Sequence, residues 1–291
     1  MSDSKTRLGR VEEITSTANP RIKSIKALSL KKNRESEKLF LAEGMKLVTD
    51  ALAAGWNVRT LIHSKKLLDE EDSLRLRVEQ LAATVRARGG DIFITNDKIL
   101  TSITRRDNAQ MVVAVIEQKF MDTKQIKAEG NDTWVALDRV RDPGNLGTIV
   151  RTADALGAKG VFLVGETTDP FALEAVRATM GSLFHMPIAR FTENEFLTFS
   201  ESWKKSGNKV VGTHLKGAVD HRELDYSQCA QIILMGNEQK GLTDELSDVC
   251  SDLTYIAMDG AADSLNLAVA TGIMLFEARR HALASNDTGS H

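Results

Sequence analysis

The feature that most constrains the fold is a set of five short apolar runs in the second half of the chain. They are TWVALD (133–138), GVFLVG (160–165), KVVGTHL (209–215), QIILMG (231–236) and LTYIAM (253–258). Most are separated by stretches with helical periodicity. Near-continuous apolar strands joined by helices describe a parallel sheet covered on both faces. In such sheets ligands bind at the carboxyl ends of the strands. The segments that follow each strand are therefore where function is to be sought.

The first part of the chain reads as a smaller mixed α/β unit. A basic helix, PRIKSIKALSLKK (20–32), leads into FLAEGMKLVTDALAAG (40–55). There Leu47, Val48, Ala51 and Leu52 form an apolar face, and Gly55 stops the helix. NVRTLIH and DIFIT are strands around the charged helix LLDEEDSLRLRVEQLAATVRAR, and AQMVVAVIE is a buried closing strand. The polar, lysine-rich stretch from Glu117 to Asp132 reads as a linker. The expected division is a first domain over 1–120, a linker over 121–131 and a second domain over 132–285, with the tail SNDTGSH frayed.

Charge separates the two parts. Net charge is −2 over 291 residues, but residues 1–120 carry 22 Lys and Arg against 16 Asp and Glu. The remaining residues carry 16 against 24. The first part thus suits a polyanion, or simply has a solvated basic surface. The longest apolar run, Met111–Ile116, is too short for a bilayer, and MSDSKTRLGRVEE has no apolar export core. Both point to a cytoplasmic protein without a membrane partner. Cys229 and Cys250 are lone and match no metal spacing, so they read as packing thiols. Aromatic residues, at 5%, are too few for base-stacking platforms.

Three strand ends carry polar residues. After the first, Asp142-Pro143-Gly144 makes a tight turn into an amphipathic helix with Ile149, Val150, Ala153 and Leu156 on its apolar face. No dinucleotide or P-loop glycine fingerprint is present; Asn145 and Arg151 stand there instead. Arg151 lies off the apolar face, near the helix start. A cation there wants an anion, which is either a ligand or one of Asp138, Asp142 and Asp154. After LMG come Asn237 and Glu238, before a helix that Thr243 can cap. The third loop, DGAAD, leads to Ser264, a possible N-cap, Leu265 and Asn266. The helix beyond has Leu267, Ala270, Met274 and Leu275 on one face and small residues elsewhere, suited to close packing, including across a dimer.

Taken together and in order, NLGTIVRTADALG, LMGNEQKGL and IAMDGAADSLNLAVATGIMLFE resemble the three motifs of the SpoU (TrmH-type) branch of SPOUT RNA methyltransferases, over about residues 132–282. ITSTANPRIKSIKAL and FLAEGMKLVTDAL are similar to the substrate-binding domain often fused to these enzymes. The resemblance implies a SPOUT domain with a deep trefoil knot, working as a homodimer. It implies S-adenosylmethionine as cofactor, no metal, and methylation of a ribose 2′-hydroxyl in structured RNA, not DNA. Large-subunit, 23S-type ribosomal RNA is the expected substrate; transfer RNA is the alternative. By the same resemblance, Arg151, Asn145, Glu238, Ser264 and Asn266 are the catalytic set. Thr213, His214, Leu215, Gly236, Asn237, Ile256, Met258 and Leu265 would hold the cofactor, with Lys216 ending the wall that begins at Thr213. Ala257 and Gln239 depart from a frequent proline and a common glycine of the family.

In the first part, Arg21, Lys23, Lys26, Lys31, Lys32 and Arg34 are candidate phosphate contacts, with Arg105 and Arg106 as a further pair. Two other readings remain at this point. One is a non-catalytic RNA-binding protein on the same fold. The other is a dinucleotide enzyme, against which the missing glycine fingerprint counts.

Overall fold

A computed structural model describes residues 8–68, 72–214 and 219–286. The chain forms two compact units, Met1–Lys119 with Phe171–Phe184, and Phe120–Pro170 with His185–His291. The tail SNDTGSH falls almost wholly outside the described residues.

The first unit is built on strands β1 (Val11–Ile14), β2 (Leu39–Glu43), β3 (Val58–Ser64), β4 (Asp91–Thr95) and β5 (Val112–Glu117). Their order is β1-β4-β3-β5-β2. β1, β4 and β3 run parallel, while β5 is antiparallel to β3 and β2. Helices α1 (Pro20–Ala27), α2 (Lys31–Glu37), α3 (Met45–Ala53), α4 (Asp72–Ala87) and α5 (Asp97–Thr104) cover it.

Two sequence expectations change here. FLAE is a strand, not the start of a helix, because Gly44 at φ +101° turns the chain sharply between β2 and α3. The basic helix is two helices, interrupted at Leu28–Leu30. The cause is Arg34, whose Nη1 donates to the carbonyls of Leu28 (2.8 Å) and Ser29 (2.9 Å), capping the end of α1. Arg34 is buried at 5% exposure, so it leaves the expected phosphate-contacting face.

The second unit is a seven-stranded, all-parallel sheet of order β10-β12-β9-β11-β6-β7-β8. The five strands read from sequence are β6 (Thr133–Asp138), β7 (Val161–Val164), β9 (Lys209–Thr213), β11 (Gln231–Met235) and β12 (Asp252–Tyr255). Ile188–Phe191 (β8) and Val219–Asp220 (β10) add the two edges. The helices are α6 (Pro143–Ala155), α8 (Glu193–Lys205), α9 (Asp244–Asp248) and α10 (Leu267–Asn286). One face is filled by Trp134, Phe162, Phe191, Phe196 and Trp203, with Trp134 stacked on Phe162 at 5.0 Å. The polar stretch after Glu117 lies against this unit: Met121 N donates to Ile188 O, and Ile126 and Ala128 pack on the same core.

Helix α7 (Leu173–Ala178) belongs to the first unit although it follows β7 in the chain. Phe171 and Phe184 flank it and join Phe40 and Trp56 in an aromatic cluster, and Trp56 Nε1 donates to Phe184 O at 3.0 Å. Arg177 on α7 makes a two-pronged ion pair with Glu43, whose side chain is 1% exposed.

Both cysteines are free. Burial pushes the Cys250 thiol up to about 12, so little thiolate exists at neutral pH. Cys250 is expected to resist iodoacetamide at pH 8 in the native protein and to react fully in denaturant, which peptide mass mapping would read. Among the described residues no helix is long and apolar enough to cross a membrane, and no group of three His, Cys, Asp or Glu could hold a metal ion.

Candidate active site

Three loops at the carboxyl ends of β6, β11 and β12 converge. Helix α6 starts where the sequence dictates: Asp142 Oδ1 accepts from Asn145 N at 2.6 Å, and Pro143 fills the first helical position. Arg151 is therefore not near the helix start. It lies eight residues beyond Pro143, about 12 Å along the axis at 1.5 Å per residue. The helix-dipole argument does not reach it. Its side chain is exposed and makes no hydrogen bond or ion pair among the described residues. Two of the carboxylates that could have paired with it are engaged elsewhere, Asp138 with Arg139 and Asp142 with the cap.

After β11 the chain makes a tight loop from Gly236 to Gly241. Asn237 and Gly241 exchange two backbone hydrogen bonds, at 3.1 and 2.9 Å. The Asn237 Oδ1 accepts from Gln239 N and Lys240 N, at 3.0 and 3.1 Å. Gly236 is required for this return: a Cβ there would sit 2.5 Å from Gly241 C and 2.6 Å from Leu242 N. Gly236→Ala must displace the loop. We expect a loss of about 1–3 kcal/mol from overpacking and loss of cofactor binding, read by thermal melts and isothermal titration.

The loop brings Glu238 to the first motif. Asn145 Nδ2 lies 3.5 Å from Glu238 Oε1, and Asn145 Oδ1 accepts from Asn266 Nδ2 at 3.0 Å. Asn266 also takes the capping role assigned to Ser264. Its Oδ1 accepts from Ala268 N and Val269 N, because α10 starts at Leu267. Thr243 caps α9 as expected. Asn145, Glu238 and Asn266 thus form one chain of polar contacts from three loops.

Beside it lies a cleft of about 560 Å³. Of the expected cofactor residues, Thr213, His214, Gly236, Asn237, Ile256, Met258 and Leu265 line it, as do Glu238 and Ser264. Leu215 and Lys216 lie outside the described residues. Arg151 is not part of this lining. Sequence reasoning missed Met235, Lys240, Gly241, Thr254 and Tyr255. Met235, Thr254 and Tyr255 end β11 and β12, so the strand-end rule was a sufficient signal for them.

Arg139 was also missed. It follows β6 in the left-handed region (φ +48°) and grips Asp138 through two hydrogen bonds, 2.9 and 2.7 Å. Those bonds, then the opposite charge, raise the Arg139 pKa, against partial burial. The cleft suits a nucleoside joined to an amino-acid chain. Its volume is that of a small-molecule site, Ile256, Met258 and Leu265 give an apolar slot, and Glu238, Lys240 and backbone groups give polar ends.

In the first unit, Lys23, Lys31 and Lys32 are exposed and Lys26 is half-buried, and none makes an ion pair among the described residues. Arg21 pairs with Glu12 at 2.6 Å and lies over the Phe93 ring. Arg105 Nη2 donates to Ser29 Oγ at 2.8 Å, which places the Arg105–Arg106 turn beside the α1–α2 turn.

Comparison with known proteins agrees with this geometry. Residues 132–276 match the SpoU rRNA methylase family, and residues 19–114 match an MRM3-like substrate-binding domain. A crystal structure of an AdoMet-bound rRNA methyltransferase from Sinorhizobium meliloti is 52% identical, with TM-score 0.85, covering 93% of this chain and 98% of that one. A 23S rRNA (uridine(2479)-2′-O)-methyltransferase of Streptomyces viridochromogenes is 33% identical, over 87% of this chain and 86% of the relative. The Bacillus subtilis 23S rRNA (guanosine(2553)-2′-O)-methyltransferase is 30% identical, over 92% of this chain and all of the relative. With both halves matched and the three motif loops joined through Asn145, Glu238 and Asn266, the chain belongs to the SpoU methylase family.

Proposed function

We propose that the protein methylates a ribose 2′-hydroxyl of 23S-type ribosomal RNA with S-adenosylmethionine, acting as a cytoplasmic homodimer. The observation that carries this reading is the Glu238–Asn145–Asn266 contact chain at the edge of the cleft. When bound, the cofactor supplies an already electrophilic methyl group, so the residues mainly position the nucleophile in line. Ile256, Met258 and Leu265 take the base, and Thr213, His214, Gly236 and Asn237 wall the rest. Asn145, Glu238, Ser264 and Asn266 orient the target ribose.

Arg151 stays protonated, since a guanidinium keeps its proton above pH ~12. It binds the RNA phosphate and ribose and lowers the hydroxyl pKa. As the hydroxyl oxygen takes up the methyl group, its proton leaves by way of the RNA phosphate, which helps accept it and relays it to solvent. A dimer would give Arg151 a site to face. Val269 and Phe276, 52% and 56% exposed, lie seven residues apart on one side of α10 and are the apolar patch for it.

Lys23, Lys26, Lys31, Lys32, Arg105 and Arg106 hold RNA phosphates, and the few exposed aromatics favour recognition of folded RNA by shape. The double variant Lys31→Ala/Lys32→Ala is expected to weaken RNA binding equally across sequences. Its log–log salt slope should fall by about 2, as filter binding between 50 and 200 mM salt would show.

The direct test is incubation with labelled S-adenosylmethionine and, separately, unmodified ribosomal RNA and transfer RNA, followed by digestion to nucleosides. A 2′-O-methyl nucleoside from ribosomal RNA is expected. Label in transfer RNA alone would replace the substrate. Cofactor binding without transfer to either pool would leave an RNA-binding protein on this fold.

A further inference from the structure

We infer that Arg139 is a positioning residue that sets the shape of the cofactor loop Gly236–Gly241, an inference that rests on the function proposed above. β11, β6 and β7 are neighbours in the sheet, and Arg139 touches the carboxyl end of all three. Its guanidinium is forked onto Asp138 at the end of β6, and that carboxylate has 0% side-chain exposure. The same Nη2 reaches Gly241 O at 3.3 Å, across the β11 loop. Its own carbonyl accepts from Asn237 Nδ2 at 3.0 Å, at the start of that loop. Its stem passes Gly165, after β7, so closely that a Cβ there would lie 3.3 Å from Arg139 Cγ.

Both ends of the loop that carries Glu238 and Lys240 are therefore tied to one residue. The residue holds a left-handed backbone, φ +48°, that non-glycine residues rarely adopt. Such strain persists only where surrounding contacts impose it. Here the contacts are the buried fork on Asp138 and the amide of Asn237. Arg139 does not line the cleft, so it acts through the loop. Lysine cannot reproduce the two-pronged grip combined with a reach to Gly241.

The test uses the full-length protein and titrates S-adenosylmethionine by calorimetry without RNA, alongside steady-state kinetics. Arg139→Met alone strands a buried carboxylate and is at risk of misfolding. The informative variant is therefore Asp138→Asn/Arg139→Met, which removes both charges, with Asp138→Asn/Arg139→Gly as a second that also relieves the backbone. We expect both to bind cofactor on the order of tenfold more weakly and to raise the cofactor KM by that factor. RNA affinity measured without cofactor should change little, while kcat falls as well because the same loop carries Glu238. Arg139→Lys should recover only part of the affinity. Wild-type cofactor affinity in the double variants would overturn the inference. So would an equal fall in RNA affinity, which marks a general structural role. A wild-type protein that binds no cofactor would instead sink the functional reading, and the inference with it.

Discussion

Arg151→Ala is expected to abolish methyl transfer while leaving cofactor affinity untouched. The side chain is exposed, makes no hydrogen bond or ion pair among the described residues, and stands outside the cleft lining, so its removal disturbs neither fold nor pocket. Losing a positioned charge that stabilises a developing alkoxide costs roughly 10²–10⁴ in rate. Arg151→Lys should recover little, because an ammonium cannot bridge phosphate and ribose in the forked geometry. Single-turnover transfer with saturating cofactor and RNA is the measurement. Near-normal turnover in Arg151→Lys would rule out the bidentate role. Loss of calorimetric cofactor binding in Arg151→Ala would show that the arginine supports the pocket.

Glu43→Ala is expected to have the largest effect on stability. The carboxylate is buried and holds two residues. Oε2 accepts from Arg177, Oε1 accepts from Gln110 N at 3.1 Å, and Arg177 Nη2 in turn donates to Thr104 O at 3.0 Å. The ion pair thereby ties down both ends of the 104–110 segment that carries Arg105 and Arg106. Breaking a buried pair on one side costs ~3–5 kcal/mol, mostly from the charge left behind. The double variant Glu43→Gln/Arg177→Met leaves no stranded charge and should be far milder. A urea denaturation series would decide; equal losses in the single and double variants would refute the charge argument.

Sequence legibility followed the range of the interactions involved. The cleft walls were readable because each lies directly after an apolar strand, and strand ends are local signals. The helix start at Asp244 was readable from Thr243, whereas the turn read at Asp142–Gly144 is the cap and first turn of α6. The choice between Ser264 and Asn266 as a cap was not, because both types cap well and only the onset of α10 decides. Arg34 looked like its basic neighbours. Its inward turn depends on the chain reversing at Leu28–Leu30, which no periodicity encodes. β10 is two residues long, too short to show a strand pattern, and in β8 Arg190 interrupts the apolar run; both gain their pairing from the sheet. Arg139 directly follows β6, yet only its position as a strand end was legible, since its contacts run to two other strand ends.

The segment Phe171–Phe184 also has a consequence in time. Phe40 and Trp56 are covered by aromatic rings translated long after them. The first unit is otherwise complete at Lys119, yet its last core residues arrive about 65 positions later. At about 5–20 residues per second on the ribosome, that is a wait of several seconds with an aromatic face uncovered. A chain released at the end of the first unit never closes that face. The nascent protein thus completes its first unit only after the first strands of the second have left the ribosome.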